Sequence, residues 1–321
     1  MTIEMIKVLL FCFAILAASL GKRKASQLFS SSYILYTKTN HKFGQSLVAT
    51  PDSVKPLTIN SGTICAVIVH GYGGKGTDSM SLVLRDAFLG SGNTNVIVVD
   101  WTVAAGSNMA SEAVPAIADN VAELLKLMVI SNKISKTKLH LVGFDLGAHV
   151  VGNVGRIFQG VARITALNPY GADEWMLSNN HLRATDARYV EVIHTEVSQI
   201  GLPVAVGDVD FFPQGGVRQP GCQDLDCSHN RAWKLFAASL THGGLIGHRC
   251  ETIRNALDLE RFCTGFALPL GTNELVKYGT GIFRLETSAV YPYTCNVKCG
   301  IIDGVMESID NLGRLWEQPP E

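Results

Sequence analysis

The chain has 321 residues, of which 47% are hydrophobic and 17% are charged, and its formal net charge at pH 7 is −1. A chain of this length and apolar content can bury a sizeable core in one large domain or two small ones. Its 27 basic and 28 acidic residues are nearly balanced, and no long basic run is present. This charge pattern argues against a nucleic-acid partner, which requires a concentrated basic face.

The first residues have the pattern of a secretory leader. Lys7 precedes an apolar run from Val8 to Ala18, and small residues suited to cleavage follow. The run is shorter than the roughly 20 residues that span a bilayer. We therefore predict that residues 1–20 are a signal peptide and that the mature protein is secreted, extracellular and without a stable membrane anchor.

The cysteines are consistent with an oxidising compartment. Removal of Cys12 with the leader leaves seven of the eight cysteines, an odd number that indicates disulfide pairs plus one free thiol. Cys65 lies in the apolar run 63–71, where we expect a buried free thiol. Proximity in the chain suggests three pairs, although six cysteines allow fifteen connectivities. These predicted pairs are Cys222 with Cys227, Cys250 with Cys263, and Cys295 with Cys299.

Apolar runs and helical patterns alternate along most of the chain. Five β-branched runs are nearly continuously apolar, as in strands covered on both faces. They are 63–71, 95–101, 138–143, 162–168 and 188–195, with helical patterns at 111–129, from Leu146, and near 230–240. We predict an α/β domain over residues 21–295 with a central, mostly parallel sheet, helices on both faces and an antiparallel edge at 33–38 and 45–50. Residues 296–321 are interpreted as a tail.

One turn matches a catalytic motif except at its central residue. Residues 143–147 read Gly-Phe-Asp-Leu-Gly between an apolar run and a helix rich in small residues. This is the outline of the G-x-S-x-G nucleophile elbow, on which α/β-hydrolases present a serine. Asp145 stands at the position of the serine, so the site has either a different nucleophile or none.

Four stretches in order resemble the pancreatic lipase family, which includes secreted animal lipases, phospholipases A1 and insect yolk-protein-like members. They are 67-VIVHGYGGKG-76, 96-VIVVDW-101, the elbow with its glycine-rich helix, and residues 208–222 with 226–237. The resemblance covers the catalytic domain of that family and implies the α/β-hydrolase fold. It also implies hydrolysis of carboxylic esters by a Ser-His-Asp triad.

Carried over position by position, the resemblance places the serine at Asp145, the acid at Asn168 and the base at His229, which is retained. The oxyanion hole falls on the backbone N–H groups of Tyr72 and Leu146. A carboxylate attacking an ester forms an anhydride from which it is readily expelled. An Asp-to-Asn change at the acid position alone costs serine hydrolases about 10⁴ in turnover. We therefore predict a lipase-family protein that has lost its ester hydrolase activity.

The two replacements suggest a rearranged site. We expect His229 to pair with Asp145, and the side-chain oxygen of Asn168 to accept the other ring N–H. Such pairing would raise the pKa of His229. Asp145 would also be placed to occupy the oxyanion donors. The alternative is that Asp145 turns to solvent and His229 persists only by descent.

Other functions stay open at this level. One is an active ester hydrolase, as the family implies, and another is an Asp-nucleophile hydrolase of the epoxide hydrolase type. A third is a non-enzymatic role in lipid or acyl-chain binding, storage or defence. Only four residues separate Cys222 from Cys227, too few for a lipase lid. His242 and His248 lack a third ligand at zinc-like spacing, so we predict no metal and no cofactor.

Overall fold

The computed structural model describes residues 29–172, 175, 177–258 and 263–295. The predicted signal peptide, 1–20, and the tail, 296–321, lie outside the described residues. No helix in the described ranges is long and apolar enough to cross a membrane.

The described residues form one eleven-stranded sheet in the order β10-β9-β11-β8-β7-β6-β5-β3-β4-β1-β2. The run from β4 to β11 is parallel throughout, whereas β1, β2, β9 and β10 pair antiparallel at the two edges. The strands are β1 Ser32–Tyr36, β2 Gln45–Leu47, β3 Ile64–Val69, β4 Thr94–Asp100, β5 Leu139–Phe144, β6 Arg163–Leu167, β7 Val190–Ile193, β8 Val209–Pro213, β9 Ile246–Arg249, β10 Ala267–Pro269 and β11 Gly281–Leu285.

Helices cover both faces of this sheet. Those in the described ranges are α1 Pro51–Val54, α2 Ser79–Ser91, α3 Thr102–Ala105, α4 Ala110–Ile130, α5 Leu146–Ile157, α6 Leu225–Thr241 and α7 Ile253–Leu257. Alternate residues of β3 separate into two apolar cores because successive side chains of a strand point to opposite faces. Val67 and Val69 pack in the core that contains α4 and α5, and Ala66 and Ile68 pack in the core that contains α2 and α6.

This architecture is the α/β-hydrolase fold, as predicted. The five apolar runs form β3 to β7, which pair in parallel, and the early runs form the antiparallel edge β1–β2. β7 is shorter than the predicted 188–195, since it ends at Ile193 before the loop that carries Thr195. The sequence interpretation did not identify α2 or the strands β8 to β11.

Two of the three predicted disulfides are confirmed. Cys222 bonds to Cys227, and Cys250 bonds to Cys263. Cys299, the predicted partner of Cys295, lies outside the described residues. Cys65 is buried with a free thiol, as expected, and its burial raises the pKa of the thiol to about 12.

Candidate functional site

Three loops meet at the carboxyl edge of the parallel strands. Tyr72 follows β3, Asp145 follows β5 and Asn168 follows β6. Because β3, β5 and β6 are neighbours in the sheet, the three residues lie at one edge. His229 comes from the first turns of α6, and the hydroxyl of Thr195 donates a hydrogen bond to its backbone carbonyl at 3.3 Å.

The turn between β5 and α5 keeps the geometry of a nucleophile elbow. Asp145 has φ 55° and ψ −122°, a backbone conformation that L-residues adopt only where the surroundings enforce it. A Cβ on Gly143 would lie 2.2 Å from the carbonyl oxygen of Gly147, and a Cβ on Gly147 would lie 2.3 Å from that of Val69. Both glycines are therefore required by the close packing of strand and helix.

The side-chain amide of Asn168 is fully buried and has a fixed orientation. Its Oδ1 accepts hydrogen bonds from the backbone N–H groups of Thr195, at 2.7 Å, and Glu196, at 2.8 Å. Its Nδ2 donates to the carbonyl of Glu196 at 3.0 Å. A flipped amide would set an NH₂ group against two backbone donors, so the oxygen must face the backbone.

This orientation decides which nitrogen of His229 carries the proton. Asn168 Nδ2 lies 2.6 Å from His229 Nδ1, which must accept because an amide nitrogen can only donate. The proton of the neutral ring is therefore on Nε2. That nitrogen faces Asp145 Oδ1 at 3.7 Å, too far for a hydrogen bond. The ring also packs on Phe144 with 4.4 Å between ring centres.

Burial lowers the pKa of His229 below its ordinary value, and the nearby carboxylates of Asp145, Glu196 and Asp226 oppose this shift only in part. Protonating Nδ1 would also set its N–H against the amide N–H of Asn168. Two predictions are therefore wrong: the nitrogen, and not the oxygen, of Asn168 faces His229, and the pKa of His229 is lowered instead of raised. The cause is the demand of two backbone N–H groups for the amide oxygen.

Asp145 is turned into the site and not toward solvent, since only 4% of it is exposed. Its Oδ2 accepts a hydrogen bond from the backbone N–H of Tyr72 at 2.8 Å, one of the two predicted oxyanion donors. The side chain makes no capping hydrogen bond to α5, so it does not engage the second predicted donor, Leu146. The N-terminus of α5 favours a negative charge at this point.

The loop that presents Tyr72 is held by a buried histidine. Nδ1 of His70 donates to the carbonyl of Gly71 at 3.0 Å, and its Nε2 accepts from the backbone N–H of Trp101 at 3.1 Å. The indole N–H of Trp101 donates in turn to the carbonyl of His70. His70 therefore has a structural role, which is to shape the turn before Tyr72.

Above these residues lies an open cavity of about 730 Å³, within the size range of ligand sites. Asp145 and His229 form part of its wall together with Tyr72, Phe144 and Trp233. The segment between Cys222 and Cys227 does not extend over the cavity as a lid, because α6 already begins at Leu225 and is capped by Asp224. Substances in solution can therefore reach the cavity directly.

Thr195 and Glu196 were not identified from the sequence as parts of the site. Their backbone N–H groups hold Asn168, and the carboxylate of Glu196 contributes to the electrostatics of His229. Backbone donors leave no signature in a sequence. Their position at the carboxyl end of the predicted strand 188–195 was the one available hint.

Comparison with known proteins finds a matching family model and several similar proteins. The family model described as Lipase matches residues 16–257. The chain is 33% identical over 240 residues to Lipase member H-B of Xenopus laevis, covering 69% of this chain and 51% of that protein. It is 30% identical over 257 residues to pancreatic triacylglycerol lipase of Equus caballus, covering 70% and 55%.

A third relative, phospholipase A1 member A of Rattus norvegicus, is 32% identical over 222 residues, which cover 65% of this chain and 48% of that protein. The chain thus spans about half to three-fifths of the length of the curated relatives that it matches.

Proposed function

The chain belongs to the lipase family, and we propose that it is a catalytically silent member that holds a lipid-like ligand at the family's site without hydrolysing an ester. Membership of the family supports a lipase-type hydrolase in general.

The contact of 2.6 Å between Asn168 Nδ2 and His229 Nδ1 is the observation that carries the proposal. Acyl transfer requires a histidine nitrogen that faces the nucleophile and is free to take its proton. With Nδ1 accepting from Asn168, the nitrogen facing the elbow already carries a proton. The site then offers no general base at the point where one is required.

Asp145 adds two further obstacles. A carboxylate is a poor nucleophile toward an ester, and its own negative charge repels an oxyanion formed beside it. Its Oδ2 also accepts a hydrogen bond from the N–H of Tyr72 at 2.8 Å, so this donor is not free to bind an oxyanion. Both effects favour a site that does not turn over esters.

An Asp-nucleophile hydrolase is disfavoured by the same protonation state. In that mechanism the histidine activates the water that cleaves the covalent intermediate. His229 Nε2 carries a proton and is 3.7 Å from Asp145 Oδ1, so it is not placed to accept one from water. Mass spectrometry of the Asp145 peptide after incubation with an epoxide in heavy-oxygen water should find no label in the carboxylate.

The cavity and the disulfides support the remainder of the proposal. A volume of about 730 Å³ with aromatic and aliphatic walls suits the apolar part of a lipid or acyl-chain ligand. Two disulfide bonds are typical of proteins that mature in an oxidising compartment, which supports secretion.

The first test is an assay of the wild type on a short-chain ester and a phospholipid, with His229→Ala as the matched control. We expect no turnover above background in either protein. Turnover by the wild type that is abolished in His229→Ala would overturn the proposal.

The protonation state has an independent readout. Nitrogen-detected NMR of the His229 ring should find the proton on Nε2 at neutral pH and a pKa below the usual value of about 6.5. A proton on Nδ1 at neutral pH would contradict the structural argument even if no turnover were found.

A further inference from the structure

The cavity at the site is lined by negative charge. Three of its lining residues are acidic, namely Asp78, Asp145 and Asp226, and none of the described lining residues is Lys or Arg. His229 is the one histidine among the described lining residues, and it is neutral because its Nδ1 accepts a hydrogen bond from Asn168 Nδ2. A ligand that enters therefore meets carboxylates without compensating side-chain cations.

The three carboxylates differ in their hydrogen bonds and in their exposure to solvent. Asp78 caps α2, since it accepts hydrogen bonds from the backbone N–H groups of Ser81, at 2.9 Å, and Lys75, at 3.0 Å. Asp226 is exposed on the first turn of α6. Asp145 is the buried one, with 4% of its surface exposed.

One oxygen of Asp145 lacks a hydrogen-bond donor among the described residues. Oδ2 is bound by the N–H of Tyr72 at 2.8 Å, but the distance from Oδ1 to His229 Nε2 is 3.7 Å. Oδ1 is not among the fully buried side-chain atoms that lack a partner, so it borders the open cavity, where a ligand that supplies a donor can reach it. A charged donor forms a stronger hydrogen bond with a carboxylate than a neutral donor does.

Aromatic side chains line the same cavity as this oxygen. Tyr72, Phe144, Tyr170 and Trp233 all line the cavity. Aromatic faces attract organic cations, and the combination of rings with a buried carboxylate is suited to an ammonium group. Met80, Leu146 and Ile200 provide apolar wall for a hydrocarbon portion.

We propose that the cavity binds an amphiphilic amine, with its ammonium nitrogen at Asp145 Oδ1 and its hydrocarbon chain along the apolar wall. This specifies the ligand class of the proposed function and so rests on it. A fatty acid is disfavoured at the same place. Its carboxylate would face Asp145, and the Tyr72 N–H that would stabilise it is already bound.

The test compares three probes that share a twelve-carbon chain and differ only in the head group: dodecylamine, dodecanol and dodecanoate. Binding is measured by calorimetry at neutral pH, below the critical micelle concentration of each probe. We expect the amine to bind at least about tenfold more tightly than the acid, with the alcohol between them. Added salt should weaken amine binding, since part of it is electrostatic.

The matched variants are Asp145→Asn, which keeps the shape and removes the charge, and Asp52→Asn, which removes an exposed charge on α1 at a residue that does not line the cavity. Asp145→Asn should abolish the preference for the amine, whereas Asp52→Asn should keep it. If Asp145→Asn does not fold, the variant Asp226→Asn, at the cavity wall, is tested in its place. This variant should show a reduced preference for dodecylamine over dodecanoate.

Equal binding of the three probes, or tighter binding of dodecanoate, would overturn the proposal. The ester assay separates this failure from that of the proposed function. If the protein binds no amine and hydrolyses no ester, only the proposed class of ligand is wrong. If it hydrolyses an ester and this activity depends on His229, the proposed loss of catalysis is wrong.

Discussion

At position 168 a single atom, the amide nitrogen, determines which nitrogen of His229 carries the proton. In a Ser-His-Asp triad the acid accepts from Nδ1–H, and this leaves Nε2 free to act as the base. Here the amide nitrogen of Asn168 donates to Nδ1, so the tautomer is reversed. The carboxylate at Asp145 then faces an N–H and not a free lone pair. The two replacements are therefore consistent with each other.

Reversing the replacements provides a direct prediction for this site. Asp145→Ser alone should have no measurable esterase activity, because Nε2 of His229 still carries its proton. Adding Asn168→Asp should raise turnover to at least about 100-fold above the background rate of the assay, since the opposite change costs serine hydrolases about 10⁴. The measurement is hydrolysis of a short-chain ester by the single and double variants.

Asn168→Asp has a stability cost that limits the recovery. The oxygen that replaces Nδ2 would lie about as close to the carbonyl oxygen of Glu196 as the present 3.0 Å hydrogen bond, and two acceptors repel each other. We expect a loss of about 1–3 kcal/mol in the free energy of unfolding. Asn168→Asp alone is the control and should stay inactive. Equal activity of Asp145→Ser with and without Asn168→Asp would contradict the assigned tautomer.

The elbow depends on close contact between the backbone of Gly147 in α5 and the backbone at the end of β3, which leaves no room for a side chain. A Cβ on Gly147 would meet the carbonyl oxygens of Val69, at 2.3 Å, and His70, at 2.5 Å. These atoms belong to β3 and to the start of the Tyr72 loop, so they cannot move without displacing the neighbouring strand. The turn is thus maintained by packing between β3 and α5, independently of catalysis.

Gly147→Ala should therefore destabilise the protein by about 3 kcal/mol or more, measured by chemical denaturation. Gly90 in α2 is the matched control, because no heavy atom lies within 4 Å of a Cβ built there. Gly90→Ala should leave stability unchanged or raise it by at most ~1 kcal/mol, through better helix propensity. Similar losses in both variants would show that the close approach at Gly147 is relieved elsewhere.

The strands that could be predicted from the sequence are those with long apolar runs, because β3 to β7 are covered on both faces. β9 and β10 could not, since Ile246–Arg249 and Ala267–Pro269 are short, partly exposed and pair only at an edge. The elbow and His229 could be predicted because their residues carry motifs. The orientation of the Asn168 amide could not, because it depends on backbone donors brought in by a different loop.

Away from the site, buried polar groups link neighbouring parts of the sheet. Arg163 on β6 and Glu191 on β7 form a fully buried ion pair at 3.0 Å. The N–H of Gly271, after β10, donates to Glu191 at 2.8 Å, and Arg163 donates to the carbonyl of Gly271 at 2.9 Å. None of these contacts involves Asp145, Asn168 or His229, so substitutions at those three positions leave them in place.

Buried neutral histidines make the stability of the whole molecule dependent on pH. His149, on α5, donates through Nε2 to the carbonyl of Tyr170 at 2.7 Å and accepts at Nδ1 from the N–H of Leu182 at 3.1 Å. Complete burial lowers its pKa from 6.5 to about 4. Burial also lowers the pKa of His140. Both rings must therefore stay unprotonated in the folded state over a range in which the unfolded chain takes up protons.

Because the pKa of His149 is lower in the folded state than in the unfolded state, its contribution is fully present above pH 6.5 and is lost as the pH falls toward about 4. This shift corresponds to roughly 3 kcal/mol of unfolding free energy. Urea unfolding of the wild type and His149→Gln between pH 7.5 and pH 4 should show a shallower pH dependence in the variant. Parallel curves, or an NMR pKa of His149 at or above 6.5, would mean that its two hydrogen bonds do not hold the ring neutral.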